Sequence, residues 1–268
     1  MSEHNESGAG PEPQNQPDLP RPENPRSKSV GLKQRWQLPG FPVVTYALLA
    51  LTVVFYIIQQ VLVRIYGFDL LFALMGKINV RILAGEFWRL FTPALLHSSL
   101  IHLMFNMYAL SILGRQIEPF YGKSRFLLLY LIGAFGGNVL SFVLSGFNSL
   151  GASTAIFALL AAEGVFIWQN REVFGKQSQG ILTNLAFVLV LNLFIGISPG
   201  SNTDNWGHLG GLIAGFFFAF MAGPLLEFRR QEAGVRLADT RTKQQVGLAA
   251  VMVVVAFVVI AAIPFLTR

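Results

Sequence analysis

The chain predicts an all-α fold, a polytopic bundle of membrane helices, on three observations. Of its 268 residues, 53% are apolar and only 13% charged, and the mean hydropathy is +0.53. A soluble domain carries roughly twice that charged fraction, so much of the apolar material belongs against lipid rather than in a single core. From Phe41 onward the apolar residues form runs of near-span length separated by short polar loops. Within those runs polar and apolar residues do not alternate with a period of two, which argues against the strands of a membrane β-barrel. The absence of cysteine removes disulfide scaffolds, thiolate metal sites and cysteine nucleophiles together.

Residues 1–38 differ in character from everything after them. By Pro39 the chain holds seven of its 13 prolines and five of its 14 acidic residues, with hardly an apolar run. Such a segment cannot bury enough surface to offset its ordering entropy, and it is read as a disordered tail. It lacks the apolar core of a signal peptide and is too acidic for an organelle transit peptide. Seven spans follow, roughly 41–63, 92–113, 124–145, 151–169, 181–198, 206–223 and 246–265, each near the ~20 residues that cross a hydrocarbon layer. The fourth to sixth are short, so at least one is expected to start below the membrane surface. The organisation is thus a proline-rich tail (1–38), a six-span core (39–224), a basic linker (225–245) and a seventh span with a short C-terminus (246–268).

Lysine and arginine set the orientation. With the N-terminus cytoplasmic, 15 of them fall inside and five (Arg64, Lys77, Arg81, Arg89, Arg268) outside, which places the C-terminus outside. An acidic tail without a targeting signal suits a bacterial plasma membrane. The connection 64–91 mixes apolar residues with only four basic ones, a composition suited to lying in the outer interface. It ends in Trp88-Arg89, an aromatic and cationic pair of the kind that anchors at headgroup level.

In this orientation the second, fourth and sixth spans all run from outside to inside. Their early residues include His102 and Asn106, Ser153, and His208, so four polar groups share one depth in the outer part of the layer. Polar groups there usually face a bundle interior or a wet cavity. Ser153 lies in Gly151-Ala152-Ser153-Thr154-Ala155, where free N–H groups and the positive end of a helix dipole suit a developing oxyanion. The alternative is a serine that only N-caps the fourth helix. Gly207, Gly211 and Gly215, spaced by four, give the sixth span a smooth face that lets a neighbour come close. That face carries His208, either a base for a serine hydroxyl or a core histidine bonded to a carbonyl. His102 and Asn106 share one helix face and both donate. His97 precedes His102 by five residues, about 140° away on a helix, so a joint metal site is not expected and no cofactor is implied. Glu163, inside the fourth span, fits either a proton relay or a bond to a neighbouring helix. Glu118, between Gly114 and Gly122, is expected to fasten a loop.

Together these residues resemble the rhomboid intramembrane serine proteases. The resemblance is carried by Trp88-Arg89, His97/His102/Asn106, Gly114-x3-Glu118-x3-Gly122, Gly151-Ala152-Ser153 and Gly207-His208-x2-Gly211-x3-Gly215, in order over about residues 85–220. It implies a rhomboid-like six-helix core, here in the six-plus-one form with 246–265 as the seventh transmembrane helix. It implies Ser153 as nucleophile and His208 as general base, without a carboxylate partner. The Ser153 amide, His102 and Asn106 would stabilise the oxyanion, and Phe157 would pack on the catalytic histidine. The 64–91 connection matches the family's interfacial loop, and the fifth span with the Ser198–Asn205 loop resembles its substrate gate. The partners implied are single-pass transmembrane proteins and the bilayer, not nucleic acid. Two positions depart from the pattern: Thr154 stands where glycine usually follows the serine, and Gly207 where alanine often precedes the histidine. The Thr154 side chain is expected to narrow the site or alter its oxyanion geometry. The competing readings are a catalytically silent relative that binds or escorts membrane helices, and a small transporter using Glu163 and the histidines.

Overall fold

In hydrocarbon the backbone has no water to bond to, so each apolar run must pair its N–H and C=O groups within itself as helix. The computed structural model describes residues 41–198, 201, 203–231 and 234–267; the tail read at 1–38, together with Arg268, lies outside them. In chain order the helices are α1 (Val43–Tyr66), α2 (Leu70–Met75), α3 (Asn79–Leu83), α4 (Leu100–Tyr121), α5 (Lys123–Leu144), α6 (Ser153–Gln169), α7 (Arg171–Phe174), α8 (Gln177–Gly196), α9 (Asn205–Ala222) and α10 (Lys243–Leu266). Seven of these are long, matching the seven expected spans. α1, α5, α8 and α10 are long and apolar enough to cross a membrane. The other three, α4, α6 and α9, carry the polar residues singled out in the sequence.

One expected span is displaced. The run placed at 92–113 becomes helical only at Leu100, because Pro93 sits in a separate 3-10 turn (Thr92–Leu95) and Ser99 caps the new start by accepting the His102 N–H at 3.2 Å. The linker read at 225–245 is also not featureless. It holds an antiparallel hairpin, β1 (Leu226–Gln231) and β2 (Gly234–Asp239), in which Leu226 faces Asp239 and Phe228 faces Leu237. Asp239 ties the hairpin to α5 through Arg125 at 2.9 Å, and the side-chain oxygen of Asn170 accepts the Leu226 N–H at 2.7 Å.

The centre of the bundle is α5, α6 and α9. Lipid is as apolar as leucine, so helices inside a membrane associate by close packing of small residues rather than by apolar burial. A Cβ on Gly136 of α5 would stand 2.5 Å from the Ala214 Cβ of α9, and one on Gly210 would stand 2.5 Å from the Gly136 carbonyl oxygen. A Cβ on Gly211 would overlap the Thr154 carbonyl, and one on Gly215 the backbone of Ala158. α10 closes one side of this trio with Ala249, Ala250, Val253 and Phe257 buried, and Phe257 rests against Gly136. α8 packs more loosely: Ile181, Leu182, Leu185, Val188 and Leu189 are half-buried against the core, and only Gly196 is fully buried along its length.

α1 begins at a carboxylate from another helix. Glu118 of α4, 2% exposed, accepts from the Val44 N–H (2.9 Å), the Thr45 N–H (2.7 Å) and the Thr45 hydroxyl (2.6 Å). The negative group thus serves the unpaired N–H groups and positive dipole at a helix start. The neighbouring Gly114 leaves the room that Thr45 occupies. Glu118 therefore fastens a helix start rather than a loop. Glu118→Ala is expected to destabilise the folded protein by about 3 kcal/mol, and Glu118→Gln by less. Unfolding curves in mild detergent read the difference.

Candidate active site

Three helices open on the same polar cluster. Ser153 is the first residue of α6, His208 the fourth of α9 and His102 the third of α4. The His208 Nε2 lies 2.9 Å from the Ser153 Oγ. Ser153 makes no capping hydrogen bond; the residue before the helix is Ala152. The reading of Ser153 as a mere cap is thereby set aside: its hydroxyl is turned to the histidine.

His208 is 7% exposed and its ring lies flat on Phe157, with centroids 4.1 Å apart and planes 14° from parallel. Its Nδ1 has no hydrogen-bond partner among the described residues. The imidazole is therefore held by stacking and by its helix, not by an acid behind it. That helix is fixed at its start by Asp204, whose Oδ1 accepts the Gly207 N–H at 2.9 Å and whose other oxygen accepts the Ser141 hydroxyl of α5. Asp204 was not singled out from the sequence, although Asp directly before an apolar glycine-rich run is a helix-start signature.

Gly151 has a φ of +133°, open to glycine and strained for other residues. A Cβ there would stand 2.8 Å from the His102 Cε1 and 2.9 Å from its Nε2. The His102 ring thus reaches the segment that enters Ser153, with the Ser98 hydroxyl 3.1 Å from its Nδ1. Asn106 is buried, and its amide donates to the His102 carbonyl at 3.0 Å. It is positioned one turn below His102 and bonded within its own helix.

Thr154 does not crowd Ser153. Its side chain points into the space left by Gly137 of α5 and Gly207 of α9: a Cβ on Gly207 would stand 3.2 Å from the Thr154 Cγ2. The two departures noted in the sequence therefore offset one another, with the extra methyl after the serine filling the volume missing before the histidine.

The remaining expectations divide. His97 is not on α4 at all, so the 140° argument fails: its ring meets that of His102 edge-on at 4.9 Å, and its backbone N–H donates to the Gln59 Oε1 at 3.2 Å. Among the described residues no group of three potential ligands could hold a metal ion. Arg89 is not a headgroup anchor. It is 2% exposed, and donates to the Gly76 carbonyl (2.8 Å), the Ala73 carbonyl (2.7 Å) and Glu86 (2.7 Å). Its five donors suit the inside of a loop rich in free carbonyls better than the lipid surface. Trp88 is half exposed, with its indole N–H donating to the Leu74 carbonyl at 3.1 Å. Glu163 lies ten residues beyond Ser153, about 15 Å along α6. Its carboxylate takes the Gln116 amide of α4 at 3.0 and 3.3 Å once that amide is oriented to donate. Of the expected gate loop at 198–205, residues 199, 200 and 202 lie outside the described set.

The fold and this site define a polytopic helical membrane protein with a serine–histidine pair at the heads of two glycine-packed helices. A family model described as the Rhomboid domain matches residues 84–225, and the chain belongs to the rhomboid family and is an integral membrane protein. It is 40% identical over 184 residues to Rhomboid protease GluP of Bacillus subtilis (strain 168), covering 69% of this chain and 36% of that protein. It is 39% identical over 153 residues to RHOMBOID-like protein 1 of Arabidopsis thaliana, covering 55% and 38%. With Putative rhomboid protease YdcA of Bacillus subtilis (strain 168) it shares 34% identity over 146 residues, 53% of this chain and 71% of that one. The chain spans well under half the length of the first two of these relatives.

The Ser153–His208 separation depends on α9 lying directly against α6. Gly211→Ala places a methyl on the Thr154 carbonyl, an overpacking that costs about 1–3 kcal/mol and pushes His208 away from Ser153. The variant is expected to fold in detergent yet react with a serine-directed probe at least about tenfold more slowly, since misplacement by an ångström can cost 100-fold. Thermal unfolding and labelling rates measured together check both halves.

Proposed function

We propose that the chain is an intramembrane serine endopeptidase that cleaves single-pass transmembrane proteins within or near the bilayer. The observation that carries this is the 2.9 Å contact between the Ser153 hydroxyl and His208 in a rhomboid-family membrane protein. In this reading Ser153 Oγ attacks the scissile carbonyl as His208 Nε2 takes its proton. The negative charge on the carbonyl oxygen meets the unpaired N–H groups of the first turn of α6 and the His102 ring. His208 then returns its proton to the leaving amine. Water, deprotonated by the same histidine, releases the acyl group and restores the serine. The Asn106 amide, which rests on the His102 backbone carbonyl at 3.0 Å, joins His102 as a donor to the same oxyanion.

Peptide hydrolysis needs water, and polar groups tolerate membrane depth only where a cavity is wet or buried in protein. The reactive groups at the heads of α4, α6 and α9 meet that need with the least penetration. The lysine and arginine bias supports these heads as the outer side, with the N-terminus cytoplasmic and the C-terminus outside, and the acidic, proline-rich tail supports a bacterial plasma membrane as the setting. A substrate helix hides its carbonyls in its own hydrogen bonds, so cutting is expected near helix ends or helix-weakening residues.

The purified protein is incubated in mild detergent with a serine-directed fluorophosphonate, and the adduct is mapped by mass spectrometry. The expected result is one adduct on Ser153, lost in Ser153→Ala and in His208→Ala. Folded wild-type protein that takes no adduct contradicts the reading and favours a silent helix-binding relative.

A further inference from the structure

Beside the loop that leads to the site runs a groove that the chemistry above does not use. It has a volume of about 410 Å³ and lies between α10, α5 and the 82–91 part of the α1–α4 connection, lined by apolar side chains alone. Ile82, Leu90, Phe135 and Phe142 form its floor, each 5% exposed or less, whereas Phe87 and Phe265 stand exposed at its rim. Ala261 and Ala262 of α10 line it without filling it. At one end Phe265 meets Phe87 and Phe142, with ring centroids 6.1 and 6.2 Å apart; at the other Phe135 stacks on Phe91 at 4.8 Å. The lining extends from Val258 to Leu266 on α10, about 12 Å along the helix. The groove thus follows the helices through most of the ~15 Å that one hydrocarbon leaflet spans. Both α5 and α10 are long and apolar enough to cross a membrane, so the groove opens onto lipid tails. The loop that walls it is joined on its other side to the approach to Ser153. The Lys77 ammonium donates to the Phe147 carbonyl, the Asn79 amide donates to the Ser145 carbonyl at 2.7 Å, and the Pro93 carbonyl accepts the Gly151 N–H at 2.9 Å.

We propose that the groove binds one acyl chain of a bilayer phospholipid, whose phosphate is held by Arg81, and that this chain props the loop against the approach to Ser153. The binding site rests on the membrane setting; its effect on Ser153 rests on the protease reading. An apolar hollow left empty forfeits the dispersion contacts of its lining, and methylenes laid along it restore them. At ~30 Å³ for a group the size of a water molecule or a methylene, the volume holds on the order of a dozen, the scale of one acyl chain. A helix ~10 Å across and of the same length would need roughly twice the space, so neither a substrate helix nor a helix of a second copy fits. Charge marks the headgroup end. The Asn79 bond to Ser145 sets α3 at the C-terminal end of α5, where Phe142 and Phe265 meet. Arg81 of α3 is exposed there, next to Ile82 in the chain. Its contact with Glu86 is 3.5 Å, whereas Glu86 holds Arg89 at 2.7 Å. The Arg81 guanidinium is thus left to offer paired donors to a phosphate.

Two measurements on the full chain test this. In the first, liposomes holding the protein contain a phospholipid with a diazirine midway along one acyl chain, and adducts are mapped by mass spectrometry after illumination. Lipid that only surrounds the bundle reaches exposed residues such as Phe105 of α4 and Val190 of α8; a chain lying in the groove also reaches Leu90, Phe135 and Phe142. Wild type is expected to carry adducts on this floor. They are lost in Ala262→Trp, whose ring takes up the groove, and kept in Val259→Trp, which puts the same ring on an exposed part of α10 outside it. Arg81→Gln is expected to lower floor labelling about threefold relative to the exposed positions. In the second, wild type stripped of phospholipid in detergent is expected to react with a fluorophosphonate at least about fivefold more slowly than with phospholipid restored, and Ala262→Trp at a rate that ignores phospholipid. Adducts confined to exposed residues in wild type, floor adducts unchanged in Ala262→Trp, or a wild-type rate indifferent to phospholipid would each overturn the proposal. So would a disulfide between two copies of Leu266→Cys with no adduct on the floor, which would give the groove to a second copy. Failure of wild type to label Ser153 in any lipid would instead remove the protease reading, and the floor adducts would still decide the lipid site.

Discussion

The close approach of α9 to α6 is the constraint on which the rest of the molecule depends. His208 reaches Ser153 only because no side chain stands between the two helices at Gly211 and Gly215, where even a methyl would strike the α6 backbone. α5 joins by the same means through Gly133, Gly136 and Gly137. Small residues supply the association that apolar burial supplies in water. They also fix the serine and histidine from two rigid helices rather than from loops. Phe157 sets the plane of the histidine and Asp204 sets its helix.

The segment between α1 and α4 complements this trio from the side. It is a folded unit held from within by Arg89, whose guanidinium is saturated by loop carbonyls and Glu86. Lys77, Asn79 and Pro93 then join that unit to the approach to Ser153. Buried cations usually weaken a membrane protein unless paired or hydrogen-bonded. Here both are spent on carbonyls that an irregular loop leaves unpaired, which is what allows non-helical backbone to persist beside the site.

Much of this was legible in the sequence where one local rule decides the outcome. Apolar length located the spans, and the four-residue glycine spacing marked the face that α9 presents to α6. The depth argument grouped Ser153, His208, His102 and Asn106; the first three occupy first turns of their helices, with Ser153 and His208 in contact, while Asn106 lies a turn farther along α4. One error was local in origin: Pro93 and the Ser99 cap delay the helix expected from residue 92 until Leu100, which leaves His97 off the helix with its ring against His102. The others arose where tertiary contacts override local pattern. Arg89 read as an anchor because composition does not reveal which carbonyls a loop leaves unpaired. Thr154 read as an intrusion because its accommodation by Gly137, on another helix, is invisible to sequence order. Asp204 sits where a helix-start residue is expected, but its bond to Ser141 on another helix is not legible from local sequence.

Cleavage inside a defined membrane tests the central claim most directly. The wild-type protein and Ser153→Ala would be reconstituted in liposomes with a panel of single-pass transmembrane proteins in water enriched in 18O, and the products mapped by mass spectrometry. The account predicts a cut within or near the transmembrane segment of at least one panel member, one 18O in the new carboxyl terminus, and no cut with Ser153→Ala. Intact substrates with folded wild type, or cutting that survives Ser153→Ala, would contradict it.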